Sequence, residues 1–337
     1  MTTSTILLDH GSGGERSQEL IDQSILPHIM NPSLAVLNDG ATLDVAGQRL
    51  AVSTDSYVVD PLFFPGGSIG HLAVHGTIND VAMCGATPLW LSCALILEEG
   101  FPVEQLSRIM EEMGLAAHKA GVSIVTGDTK VVPRGACDKM FINTTGIGIV
   151  KPAVNLSAAN AKPGDAIILS GTVGDHGLAI LSSREGLAFD TPTQSDTAPL
   201  HRMVAGILNT CPEVRVLRDP TRGGLATSLN EIATASGVSL NILEEKIPIK
   251  PHVAALSDLL GLDPLYTANE GKLICFVPEN RAGVTLETIK ASPFGEDAAI
   301  IGHVTEATAS PRVTLTTPTG GTRRLPKLTG EQLPRIC

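Results

Sequence analysis

Apolar residues recur along this 337-residue chain with two periods, one helical and one of strands. Leu106, Ile109, Met110, Met113, Ala117 and Ala120 stand at helical spacing between Pro102 and Gly121, which predicts a helix with a proline start and a glycine stop. The run Val122-Ser123-Ile124-Val125 then predicts a buried-type strand ending in Thr126-Gly127-Asp128-Thr129-Lys130. Further helices are expected behind Gly14 (Leu20, Ile21, Ser24, Ile25 and Ile29 on one side), at 71–84, behind the segment 171–177 to about 186, and at 200–208, 225–236 and 286–291. Strands are expected at 6–8, 36–41, 49–59, 141–150, 166–170, 273–277 and 299–304, and residues 188–199 read as a loop. No internal repeat is visible. The pattern breaks at Lys151-Pro152 and restarts at Asn155, so two α/β domains are expected, 1–154 and 155–310, with a tail at 311–337.

Pro318, Gly320, Gly321, Pro326, Gly330 and Pro334 break helix and ladder alike, so the tail is expected to be extended and mobile. About 20 residues reach at most roughly 66 Å. That range would let Cys337 visit a pocket on its own subunit, on a second one, or on another protein.

Composition narrows the function. A net charge of −11 argues against nucleic-acid binding through phosphates. The N-terminus has no basic segment ahead of an apolar core, and the apolar run from Pro88 to Leu97 is too short to span a bilayer. Six cysteines without a C-x-x-C pair read as reduced thiols, so a cytoplasmic protein is expected.

Chemistry gathers on polar residues next to glycines. His10-Gly11-Ser12-Gly13-Gly14 precedes a helix and is either a plain turn or a loop whose N–H groups meet an anion. Asp39, Asp55, Asp80, Asp128 and Asp219 lie at element ends or among Gly, Asn, Ser and Thr. Any one alone reads as a capping or turn residue. Taken together with Lys130 and the glycine loops, they are a kit for a nucleoside triphosphate held through Mg2+, since hard divalent cations take carboxylate oxygens and bridge to phosphate. Gly76 would allow close approach on the face that carries Asp80.

The series Asn38-Asp39-Gly40-Ala41, Ser53-Thr54-Asp55, Gly76-Thr77-Ile78-Asn79-Asp80 with Val81-Ala82-Met83, Gly127-Asp128-Thr129 and Arg218-Asp219 resembles the aminoimidazole ribonucleotide synthetase-like superfamily. Within it, five segments resemble the carbamoyl dehydratases of nickel–iron hydrogenase maturation. They are 10–14, 127–132, Arg218-Asp219-Pro220-Thr221-Arg222-Gly223-Gly224, Asn269-Glu270-Gly271-Lys272 and Pro334-Arg335-Ile336-Cys337. The resemblance implies an α/β (α+β) two-domain architecture whose N-terminal domain binds ATP and dimerises through its sheet, plus a flexible tail. It implies that a carbamoyltransferase loads Cys337, that ATP drives dehydration to a thiocyanate, and that iron-carrying scaffold or chaperone proteins accept the cyanide.

The site residues expected on that basis are Cys337 as covalent carrier, Glu270 as base and Lys130 at the transferring phosphate. Gly11, Gly13, Gly14, Asn79, Gly127, Thr129 and Lys130 are expected around ATP, and Asp39, Asp55, Asp80, Asp128 and Asp219 around Mg2+. The terminal α-carboxylate beside Cys337 is expected to raise its thiol pKa from about 8.5. Two alternatives remain. A selenophosphate synthetase-like enzyme would want an early nucleophilic cysteine, whereas none precedes Cys84. A non-catalytic, nucleotide-responsive assembly factor would use the tail only to dock partners.

Overall fold

A computed structural model describes residues 5–187, 193–330, 333 and 335–337. The chain starts with helical turns α1 (Glu15–Leu20) and α2 (Leu26–Ile29), joined by a π turn over Ile21–Ile25. The first half then runs β1 (Ala41–Val45), β2 (Gln48–Tyr57), β3 (Phe63–Phe64), β4 (Gly67–Ser68), α3 (Ile69–Met83), β5 (Ala86–Glu98), α4 (Val103–Ala120), β6 (Ser123–Val132) and β7 (Met140–Val150). The strand expected at 6–8 is instead a 3-10 turn over Leu8–Gly11. The strand expected from Val36 begins only at Ala41, because Leu34–Val36 forms a 3-10 turn closed by Leu37 at φ +49°.

The larger first-half sheet has the order β1-β2-β7-β5-β6, and only β6 runs parallel to its neighbour. One face is packed by α3, which is buried along almost its whole length; α4 lies on α3 through Ile109, Met113, Ala116, Ala117 and Ala120. Gly121, at φ +76°, closes α4 as the spacing predicts. Gly146 and Gly148 let α3 approach β7, since a Cβ at either would stand within 3 Å of Val81. The other face exposes Trp90 and Ile96, and β6 exposes Val125 and Val131 at its edge.

The second half holds β8 (Asp165–Leu169), α5 (Asp175–Arg184), α6 (His201–Thr210), β9 (Val216–Arg218), α7 (Gly224–Ser236), β10 (Val238–Leu243), α8 (Pro251–Leu260), β11 (Ile274–Pro278), α9 (Glu279–Lys290), β12 (Ala299–Ala307), β13 (Val313–Thr316) and β14 (Thr322–Arg324). Its sheet order is β14-β13-β10-β12-β8-β11-β9. β8 is buried on both faces: Ile167 and Leu169 enter the core under α7, and Ala166 and Ile168 enter the one under α6 and α9. β13 and β14 carry this sheet past the boundary expected at 310.

The expectation of a free tail meets a different arrangement. Leu325, Leu328 and Ile336 are buried, and Ile336 and Cys337 pack against the core of the first half. Leu325 packs into the core of the second half and Ile336 into that of the first, so these described residues of the tail are held by apolar contacts despite its prolines and glycines. Among the described residues, no helix is long and apolar enough to cross a membrane.

Candidate active site

The end of the chain lies beside the residues that follow β2. Val58 N–H donates to the Cys337 main-chain oxygen (2.9 Å), Asp60 N–H to the Arg335 carbonyl (3.3 Å), and Arg335 Nε to the Val58 carbonyl (2.9 Å). The pairing is antiparallel, with 58 opposite 337 and 60 opposite 335. Arg184 holds the Arg335 carbonyl at 2.8 Å, and Arg335 forms an ion pair with Asp138. Cys337 lines a cavity of about 90 Å3 together with Gly11, Ser12, Ser56, Arg222 and Tyr266.

Buried charge defines this cavity. Glu270 is 4 % exposed, and its Oε1 has no hydrogen-bond partner. Burial, followed by the carboxylates of Asp55, Asp219 and Asp196, raises its pKa well above the usual range, against the pull of Arg222. Burial also pushes the Cys337 thiol well up, with Glu270 adding to the rise and Arg222 opposing it. The thiol pKa is raised as expected, but by desolvation first and then Glu270, not by the terminal carboxylate on which the expectation rested. Arg222 is itself held more firmly charged, chiefly by Cys337. Thiol, carboxyl and guanidinium thus form one interacting group, in which burial favours the protonated forms of the first two.

Behind them stand the aspartates. Asp39 pairs with Arg218 Nε at 2.9 Å, and Arg218 also holds Glu231 at 2.9 Å. Ser53 donates to Asp80 Oδ2 at 2.8 Å. Burial raises Asp39 to about 6 and Asp219 to about 8, with Arg218 opposing both and neighbouring carboxylates adding to the rise. Asp80 is raised by burial and by Asp219, Asp39 and Asp55; Asp55 is raised by burial, with Arg222 opposing. Four aspartates therefore repel one another's ionised forms with two arginines between them, which suits a divalent cation by charge. Among the described residues, however, no three His, Cys, Asp or Glu side chains stand close enough to hold one ion together. The charge is assembled, and the coordination shell is not.

Several expected site residues lie elsewhere. β6 does not end at Gly127 but runs through the motif to Val132, so Asp128 and Lys130 sit on an edge strand and not at a strand terminus. They pair with each other at 2.7 Å and are exposed. In register, Ser56 on β2 faces Asn143 on β7, which faces Ala94 on β5, which faces Asp128. Three strand spacings put Asp128 and Lys130 about 14 Å from β2. Gly127 is packed against β5, since a Cβ there would meet the Cys93 carbonyl at 2.3 Å, and Thr129 N–H donates to Asp128 Oδ1 at 2.9 Å. Asp128, Thr129 and Lys130 thus do not join Asp55, Asp80 and Glu270 within one protomer.

Asn79, expected at the nucleotide, is a bridge between the halves: its Nδ2 donates to the Ala198 carbonyl (2.9 Å) and its Oδ1 accepts from Leu200 N–H (2.8 Å). Gly76 admits Tyr57 and no ion, since a Cβ there would stand 2.4 Å from the phenol oxygen. The glycine loop turns several N–H groups inward: Ser12 to the Asp9 carbonyl, Gly13 to Ser17 Oγ and Glu15 to the Leu328 carbonyl. Gly13 and Gly14 allow close packing on Arg222 and Leu328, while Gly11 faces the cavity.

Three residues of the site escaped the sequence reading of the site. Arg222 was quoted only as part of a glycine-ended turn. His176 and Asp196 gave no signal, because their partners lie 160 and 74 residues away. Residues 188–192 of the expected loop lie outside the described residues. Its remainder, 193–199, is wedged between the halves, with Ser195 N–H on the Pro65 carbonyl and Thr197 Oγ1 on His75 Nδ1.

Comparison with known proteins sets this site in context. The model of the AIR synthase related protein N-terminal domain matches residues 37–150, and that of the corresponding C-terminal domain matches 162–313. Carbamoyl dehydratase HypE of Azotobacter vinelandii is 53 % identical over 97 % of this chain and 96 % of its own. Its Escherichia coli (strain K12) namesake is 48 % identical over 98 % and 99 %. The hydrogenase maturation protein HypE solved in complex with ATP superposes with a TM-score of 0.83 at 55 % identity, covering 99 % of this chain and 100 % of that one. A chain of the HypE–HypF complex reaches 0.87 at 46 %, covering 92 % and 99 %.

Proposed function

Because this chain belongs to the AIR synthase related family and, within it, to the carbamoyl dehydratases of hydrogenase maturation, we propose that it converts a carbamoyl group on Cys337 into a thiocyanate at the expense of ATP. The observation that carries this reading is half-buried Cys337 set beside Arg222 and a buried Glu270 whose Oε1 has no hydrogen-bond partner among the described residues, which also separates it from a pure docking role. A tail that only recruited partners would have no use for a buried carboxyl with a free oxygen at its tip. The selenophosphate synthetase-like alternative is weakened by Cys84, the earliest cysteine, whose thiol is buried near Asp39 and Asp80 and pushed up to about 12.

The chemistry starts from S–C(=O)–NH2, whose oxygen cannot leave as oxide. Transfer of the γ-phosphoryl group of ATP to that oxygen breaks the terminal phosphoanhydride bond and releases ADP. Loss of one nitrogen proton gives a neutral imidate phosphate. Removal of the second proton then forms C≡N as the C–O bond breaks and phosphate departs. Glu270 is placed to take a proton from nitrogen, and its raised proton affinity makes it a strong acceptor whenever it is ionised. Arg222 faces both thiol and carboxyl and would steady the negative charge that gathers on the carbamoyl oxygen.

Asp39, Asp55, Asp80 and Asp219 would hold Mg2+, which would supply positive charge to offset the phosphates and lower the proton affinity of the surrounding carboxyls. Asp128 and Lys130 fit this scheme through a second copy of the chain. The sheet face with Trp90 and Ile96 and the edge strand with Val125 and Val131 are apolar and open, which supports a homodimer that brings β6 towards another protomer's nucleotide. A carbamoyltransferase would load Cys337 after the tail leaves its cavity, and an iron-carrying scaffold protein would accept the cyanide.

Intact mass tests the reading. Incubation with the carbamoyl donor system should add about 43 Da to the chain, and ATP should then bring the gain down to about 25 Da, on the peptide ending in Cys337. A chain that hydrolyses ATP without either adduct would overturn it.

A further inference from the structure

His176, at the start of α5, is fully buried, and its ring stands edge-on to Phe64 with centroids 5.7 Å apart. Its Nε2 lies 2.9 Å from the carbonyl of Ile336, the residue before the carrier cysteine. A carbonyl only accepts, so Nε2 carries the proton. Burial lowers the pKa of this imidazole, against the pull of Asp196, and keeps it neutral, which leaves Nδ1 bare. Nδ1 is therefore the acceptor for Ser195 Oγ, 2.7 Å away. Ser195 Oγ in turn accepts Thr197 N–H at 3.1 Å. The chain of donors runs one way, from Thr197 N–H through Ser195 and His176 to the Ile336 carbonyl.

The same short loop holds Glu270. Asp196 Oδ1 accepts Glu270 N–H at 3.0 Å, and Asp196 Oδ2 meets Lys272 Nζ at 3.2 Å with both side chains buried. Gly271 lies so close that a Cβ there would stand 1.8 Å from the Asp196 carbonyl oxygen. Residues 195–197 thus touch the main chain of the expected base on one side and, through His176, the main chain of the carrier on the other. A histidine satisfied within a core would need neither connection.

We propose that His176, its tautomer fixed by Ser195, is the latch that holds segment 335–337 in register with Glu270, and so a positioning residue for the dehydration. The proposal rests on Cys337 as the carrier, but its test needs no turnover. Docked, the half-buried thiol faces a cavity of about 90 Å3 that restricts reagent access; released, it reacts as an ordinary exposed cysteine. The readout is the alkylation rate of each cysteine by iodoacetamide in the full chain, resolved by peptide mass.

His176→Phe keeps a ring against Phe64 and removes both nitrogens, leaving the Ile336 carbonyl unpaired. Cys337 should then alkylate about tenfold faster than in the parent, the factor expected for loss of one buried hydrogen bond. Cys211 and Cys275, buried in the second half, should stay protected and so report an intact fold. His176→Gln retains an N–H donor and should restore most of the protection. An unchanged Cys337 rate in His176→Phe, with Cys275 still protected, overturns the latch. Should His176→Phe expose Cys275, Ser195→Ala decides: faster alkylation of Cys337 supports the latch, and the parental rate overturns it. Failure of the carrier role itself would look different, as an absent carbamoyl adduct with the alkylation pattern untouched.

Discussion

Cys337→Ala is expected to carry neither the carbamoyl nor the thiocyanate adduct under any combination of donor and ATP. The effect is large because the sulfur that carries the group is gone, and Cys84, Cys93, Cys211 and Cys275 are buried in the cores, which leaves half-buried Cys137 as the one other candidate thiol. Nucleotide binding should survive, since the aspartates lie behind the cavity and the tail approaches it from the Val58 side. An adduct that persists in Cys337→Ala would move the carrier to another residue, with half-buried Cys137 the first to examine.

Glu270→Gln is expected to stall the reaction halfway, with carbamoyl loaded on Cys337, ATP bound and no thiocyanate. Gln matches Glu in size, and the main-chain tie to Asp196 does not depend on the side chain. What goes is proton affinity, and general-base loss typically costs about 10²–10⁴ in rate. Because Glu270 crowds Asp55 and Asp219 electrostatically, the neutral amide should also ease the ionisation of both. Thiocyanate at the parental rate would place the base elsewhere. Failure to bind ATP would put Glu270 among the cation ligands.

Legibility from sequence followed the range of the interactions. α4 and α7 were readable from periodicity and their glycine stops, because capping and amphipathicity are local. β6 was readable as a strand but not to its full length: its Gly127 looked like a terminus, whereas it lets the strand pack closely on β5. β10, α8, β13 and β14 were not singled out at all, and the two last strands are short segments that gain their pairing from neighbours in the second sheet. The tail shows the limit best. Proline and glycine counts predicted mobility, while three scattered apolar residues, Leu325, Leu328 and Ile336, hold the segment down.

The site was legible as chemistry and not as geometry. Asp39, Asp55, Asp80 and Asp219 announced themselves by sitting beside glycines and hydroxyls, and the fold does bring them into mutual repulsion. Asp128 and Lys130 looked the same in sequence, yet the sheet order sets them three strands away. His176 and Asp196 carry no local mark, since their partners, among them the Ile336 carbonyl, Ser195, the Glu270 N–H and Lys272, are delivered by folding.

The fate of the carbamoyl oxygen tests the central claim most directly. With that oxygen labelled as 18O, dehydration through a phosphate ester must deliver one label into each phosphate formed with thiocyanate, because the C–O bond breaks and the O–P bond stays. Unlabelled phosphate accompanying thiocyanate would contradict the account, for ATP would then be hydrolysed apart from the chemistry at Cys337.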